Sequence, residues 1–236
     1  MKLSLDYNRE ESFGNRIVTL VKCYVASLVV KGFSVFTIRF LDSFIFNGKM
    51  PLMREKAKIS EFYSLEISLL LVIIIIPILE EIAFRGWLTK SKQVVAFSLY
   101  ATLIYFLQTF IVLVSDFGIK ISLLDKVFIF SIFSIVTIYF LYSKIERLAH
   151  HIYNNLRSSI IISISLFSFI HIFNYPSPNW SLSNLVALLI ILAPHAATGF
   201  IYSYIRIKNG LIWSVVLHIL NNSIVLIPVL LLNKRI

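Results

Sequence analysis

The sequence has one cysteine, Cys23, among 236 residues. A lone cysteine excludes an intramolecular disulfide and any multi-cysteine metal site. Charge is scarce too: 14% of residues are Asp, Glu, Lys or Arg, too few to solvate the surface of an ordinary soluble domain. Acids are the scarcer sign, 12 against 22 Lys and Arg, giving a formal charge of +10. The chain has no HExxH zinc motif and no serine in a nucleophile elbow. It shows no internal repeat and no low-complexity linker. Its opening stretch, MKLSLDYNREESFGNR, lacks the apolar core of a signal peptide. The first apolar span is therefore expected to stay in the mature protein.

Apolar surface fills the rest. Hydrophobic residues make up 58% of the chain, and mean hydropathy is +0.85. The apolar runs approach membrane length and do not alternate as barrel strands do. The expected fold class is an all-α polytopic membrane protein, with about seven transmembrane helices in one bundle. The spans fall at roughly residues 17–38, 64–90, 93–115, 120–143, 157–174, 184–205 and 210–232. Lys22 and Lys31 interrupt the first, which either spans or lies in the interface. The bases sit mostly in the connections, so membrane orientation and anionic lipid account for them better than nucleic acid does. Lys90, Lys92, Lys144, Arg147, Arg157, Arg206 and Lys208 place the even-to-odd connections and the N-terminus in the cytoplasm. Lys49, Arg54, Lys56 and Lys58 oppose that orientation unless the first helix is interfacial.

The chain is organised around LVIIIIPILEEIAFRGWL, residues 71 to 88. An apolar run leads directly into Glu80 and Glu81. Each acid at mid-span costs roughly 2.5–3.5 kcal/mol on insertion scales, so such a pair reads as a functional site. Glu81 and Arg85 are four apart and suited to an ion pair. Glu80 points about 100° away on the helix and has no such local partner. An unpaired membrane carboxylate is protonated or sits in a wet cavity, and either suits a general base.

Two later spans carry imidazoles. His171 follows Phe167 by four residues near the end of the fifth span, before Tyr175-Pro176 stops it. Alone it reads as an interfacial histidine on a neighbouring carbonyl. His218 and Asn222 share a face of the seventh span, and alone they read equally well as a polar helix–helix contact. Taken together, Glu80, His171, His218 and Asn222 suit two chemistries. One is zinc hydrolysis, with histidines and a carboxylate as ligands. The other is metal-free hydrolysis, with Glu80 and His171 activating water and His218 and Asn222 facing the oxyanion.

These residues, in this order, resemble a known family. Glu80-Glu81 with Arg85 matches EExxxR, Phe167 to His171 matches FxxxH, and His218 to Asn222 matches HxxxN. The stretch GFIYSYIRIKNGL, from Gly199 to Leu211, resembles the family's glycine-bearing helix and basic turn. The family is that of the CPBP intramembrane proteases, which includes the type II CAAX prenyl endopeptidases and the bacteriocin-processing or immunity proteins. The resemblance spans about residues 64–232. It implies an α-helical membrane endopeptidase with Glu80, His171, His218 and Asn222 catalytic, and Glu81 and Arg85 in support. The family often carries a metalloprotease label; no cofactor is expected here, with zinc open but not favoured.

The chain departs from the family pattern in one respect. A helix pair at about residues 93–143 separates the first two motifs, which lie on nearly consecutive helices in typical members. The expected domains are a region 1–63, with one transmembrane or interfacial helix and a basic loop, and a protease domain 64–232. A simple ruler also sets Glu80 and His171 several ångström apart in depth, unless the second helix tilts or runs on through Trp87. His195 after Pro194 is expected at a kink or cavity, Asp125 and Lys126 within snorkelling reach of the interface, and His150 and His151 in a basic loop. Membrane lipid and a peptide or membrane-anchored protein are the expected partners, without nucleic acid. The Ile, Lys and Asn bias suggests a bacterial cytoplasmic membrane. The rival reading is a non-catalytic immunity or scaffold protein of the same fold, or a small transporter.

Overall fold

The computed structural model describes residues 12–44, 64–116, 119–174 and 182–233. The bases at 49–58 and the Tyr175-Pro176 stop lie outside the described residues. Among the described residues the fold is all helical. Helix α1 is Phe13–Phe44. Helix α2 has three parts: Leu65–Leu69, a π-helical stretch Leu70–Ile75, and Ile76–Arg85. Helix α3 is Lys92–Asp116, α4 is Leu123–Asn154, and α5 is Leu156–Ile170 followed by a 3₁₀ turn, His171–Asn174. Helix α6 is Leu182–Asn209 and α7 is Leu211–Asn233. Six helices are long and apolar enough to cross a membrane, and the described part of α7 adds a shorter apolar stretch. The protein is an integral membrane protein built as one polytopic α-helical bundle.

Helix α6 packs against α1, α5 and α7, while α2 packs against α3 and α7 and touches α5. Helix α4 lies outside, against α3, and turns residues such as Ile135, Tyr139 and Tyr142 outward. In lipid that apolar face is at no cost, because the hydrocarbon is as apolar as the side chains. Helix α1 is bound along the bundle. Asn209 Nδ2 donates to the Arg16 carbonyl at 3.0 Å, and Lys31 Nζ donates to the Asn221 carbonyl at 3.0 Å. These ties are about 22 Å apart along α1, so it runs parallel to α7 for most of a bilayer's depth.

Two boundaries differ from the sequence expectation. Helix α4 continues to Asn154, so Lys144, Arg147, His150 and His151 are helical and not in a loop. At 1.5 Å per residue a helix this long reaches about 48 Å, more than the hydrocarbon thickness, and its polar end can project into the headgroups. Asp125 closes a capping box with Ser122 at the start of α4. Helix α2 stops at Arg85, and a tight turn follows. Gly86 sits where a Cβ would lie 2.5 Å from the Ile82 carbonyl and 2.7 Å from Ser98 Oγ, so its missing side chain lets α3 approach.

The π-helical stretch follows from Pro77. Proline has no N–H to donate. Just before it the register slips, and Ile76 N–H bonds to the Leu71 carbonyl, five residues back. Continued in that register, Pro77 would serve Val72, and it has no proton to give. Asn222 Nδ2 supplies one, at 3.1 Å from the Val72 oxygen. In lipid a freed carbonyl needs such a partner.

Candidate functional site

The site forms where α2 ends. A helix leaves its last four carbonyls without intrahelical donors, and hydrocarbon offers no water to satisfy them. Here three neighbouring helices supply side chains. Ser98 and Thr102 of α3 donate to the Ile82 and Ala83 carbonyls. Ser163 of α5 donates to the Phe84 carbonyl. Arg206 of α6 donates from Nε to the Arg85 carbonyl at 3.1 Å and from Nη2 to the Gly86 carbonyl at 3.4 Å. Arg206 is thus a buried helix cap, not the loop base that the sequence pattern suggests. This clasp holds the segment carrying both acids.

Glu81 and Arg85 are fully buried. Arg85 Nη1 lies 3.1 Å from Glu81 Oε1, and Ser214 Oγ donates to Glu81 Oε2. The Arg85 guanidinium stacks over Phe167, with Cζ 3.8 Å from the ring centroid. Gly199 makes room for this stack: a Cβ there would lie 3.1 Å from Phe167 Cδ1 and 3.2 Å from Arg85 Nη2. The Phe167 ring also meets the rings of Phe84, His171, Tyr202 and His218, at centroid distances from 4.6 to 6.2 Å. It packs the two histidines into one cluster.

His218 bridges the carboxylates. Its Nδ1 lies 3.0 Å from Glu81 Oε1 and its Nε2 lies 3.5 Å from Glu80 Oε2. Its ring stacks on Tyr202 at 4.7 Å. Glu80 is buried, and its other oxygen accepts a hydrogen bond from Tyr105 of α3 at 2.8 Å. The acid without a partner on its own helix therefore has two from elsewhere. His171 Nδ1 donates to the Phe167 carbonyl at 2.7 Å, because that oxygen can only accept. This leaves Nε2 with its lone pair. His171 is in electrostatic reach of Glu80 and His218. His195 stacks on it with centroids 4.0 Å apart, so the residue after Pro194 lines this cluster.

Glu80, Glu81, Arg85 and His218 thus belong to one buried group, with half-buried His171 packed against it through Phe167. Asn222 directs its amide to Val72 and keeps one N–H beyond that bond. Among the described residues, no three or more His, Cys, Asp or Glu side chains are grouped to hold a metal ion. Tyr105, Ser214, Tyr202 and the capping hydroxyls were not anticipated. A signal exists for α3, where Ser98, Thr102, Tyr105 and Thr109 recur at helical spacing and mark one polar face.

Comparison with known proteins adds to this geometry. Neither a curated protein nor a solved structure matches the chain. A family model described as type II CAAX prenyl endopeptidase Rce1-like matches residues 63–224, a span that takes in all the residues of the cluster and the α3–α4 pair. With well over half of its length matched, the chain belongs to the Rce1-like family of type II CAAX prenyl endopeptidases, a family of membrane proteases.

Proposed function

We propose that the protein hydrolyses a peptide bond in a membrane-associated or amphipathic peptide, using Glu80, His171, His218 and Asn222 without a metal. Glu80 Oε2 takes a proton from water while the water oxygen attacks the scissile carbonyl carbon. His171 Nε2 accepts a hydrogen bond from the same water and orients it. The oxyanion accepts hydrogen bonds from His218 Nε2 and from the second amide N–H of Asn222. That donation needs the proton on Nε2 of His218, while Nδ1 faces Glu81. Collapse of the intermediate breaks the C–N bond, and the proton held by Glu80 passes to the leaving amine. Glu81, paired with Arg85, sets the His218 ring.

The observation that carries this reading is the setting of Glu80: a buried carboxylate with one oxygen held by Tyr105 and the other facing an imidazole. The gathering of bases at one end of the bundle supports a cytoplasmic approach for the substrate in a bacterial cytoplasmic membrane. The test compares peptide N-termini in membranes of cells carrying the wild type or Glu80→Gln. A set of cleavage products present only with the wild type is expected. Identical profiles would favour the non-catalytic scaffold. Cleavage that a chelator abolishes and zinc restores would overturn the metal-free mechanism.

A further inference from the structure

The outer face of the α3–α4 pair carries a feature independent of the proposed hydrolysis. The two helices run antiparallel. Lys92, at the first turn of α3, pairs with Glu146 of α4 at 2.6 Å. Deeper in, the Tyr100 hydroxyl and Ser134 Oγ are 2.9 Å apart. Between these levels, about 12 Å along α3, lies a cavity of about 890 Å³ whose described lining residues all come from these two helices. That is within the usual range for a small-molecule site.

Its walls divide by chemistry. Lys92, Lys144 and Arg147 form the rim, with Glu146 as the one carboxylate among the described lining residues. Glu146 is engaged by Lys92, so Lys144 and Arg147 give the rim its positive balance. Both are exposed, and Lys144 and Arg147, three apart on α4, share a face. Below the rim the walls are apolar, with Phe97 and Ile138 outward-facing at 61% and 57% exposure. The rim belongs to the end of the bundle where Lys90, Arg157, Arg206 and Lys208 also gather, which is the cytoplasmic side by the positive-inside rule. A ligand filling both parts needs an anionic head at headgroup depth and an apolar chain descending along α3 and α4. Anionic lipids populate that leaflet, and basic pockets between membrane helices recognise them.

We infer that the α3–α4 groove is a binding site for one anionic glycerophospholipid, its headgroup phosphate held by Lys144 and Arg147 and its acyl chain lying against Phe97 and Ile138. The lipid completes the contact surface of α4, a helix that otherwise packs chiefly on α3.

The test uses the full chain in a neutral detergent, titrated with phosphatidylglycerol or phosphatidylcholine, with bound lipid counted by native mass spectrometry. The wild type is expected to retain one phosphatidylglycerol in clear preference to phosphatidylcholine. The double variant Lys144→Ala/Arg147→Ala is expected to bind phosphatidylglycerol roughly 30-fold more weakly, from the usual contribution of each base near an anionic lipid. Lys92 is left intact because it ties the helices together. Ile138→Trp keeps every charge and fills the groove, so it too is expected to lose the retained lipid. Circular dichroism checks that each variant folds. No headgroup preference in the wild type would overturn the inference. So would unchanged binding by Ile138→Trp, which would reduce the effect to general attraction of lipid to a basic surface. A dimer mass in place of a lipid adduct would assign the groove to a second copy instead.

Discussion

Tyr105 donates its hydroxyl to Oε1 of Glu80 at 2.8 Å. The tyrosine comes from α3, one of the two helices that separate this chain's first motif from its second. Through it α3 reaches the candidate site directly. Its hydroxyl fixes one oxygen of the proposed base and leaves the other to face His218. Hydrogen bonds to charged groups contribute about 1.5–3 kcal/mol. Tyr105→Phe is expected to lower the cleavage rate by about ten- to a hundredfold, measured on the substrate that the Glu80→Gln comparison identifies. A wild-type rate in Tyr105→Phe would leave the hydroxyl a packing role only.

The two adjacent acids are expected to separate by phenotype. Glu80→Gln keeps the shape of the side chain and leaves the Glu81–Arg85 pair intact, so the protein should fold and lose cleavage. Glu81→Gln strands a fully buried guanidinium. Removing one partner of a buried ion pair costs about 3–5 kcal/mol. Thermal unfolding in detergent should show a large drop for Glu81→Gln and a small one for Glu80→Gln. Equal drops would mean that both acids serve mainly to hold the bundle together.

Close packing gives a third test at Gly199. Its added Cβ would press on Phe167 and on the Arg85 guanidinium at once, and both are fixed by further contacts. Gly199→Ala is expected to cost about 1–3 kcal/mol through overpacking, read as a lowered unfolding midpoint. Gly32, around which nothing lies within 4 Å of an added Cβ, is the matched control, where the change to Ala should be neutral or mildly stabilising.

The helices were legible because span length is set by bilayer thickness, an external ruler that local sequence must meet. The Glu81–Arg85 spacing was legible because four residues bring two side chains onto one helix face. Arg206 was not, because a base near the end of an apolar run ordinarily signals a loop. Only the three-dimensional arrangement puts it over the end of α2. The reach of α4 to Asn154 was hidden for a related reason: polar residues end an apolar run without ending a helix. The stripe from Ser98 to Thr109 was visible in principle. Hydroxyls in apolar helices commonly bond their own preceding turn, as Thr109 does with Tyr105, so spacing alone did not separate them from the capping pair Ser98 and Thr102.

The same three-dimensional dependence gives Asn222 two separable roles. One amide proton fills the gap that Pro77 leaves at Val72, and the other is proposed for the oxyanion. Asn222→Ala removes both, and an unsatisfied buried carbonyl costs about 1–3 kcal/mol. Pro77→Ala restores a backbone N–H that can serve Val72 in the π register or close an ordinary α-helical turn. The double variant Pro77→Ala/Asn222→Ala should therefore recover most of the unfolding midpoint lost by Asn222→Ala. In a double-mutant cycle the coupling should be about 1–2 kcal/mol. Cleavage by the refolded double variant decides the second role. If it stays at least a hundredfold below wild type, the loss matches removal of an oxyanion donor, about 2.7–4 kcal/mol. If cleavage returns with stability, Asn222 serves α2 alone, and the oxyanion must be held by His218 without it.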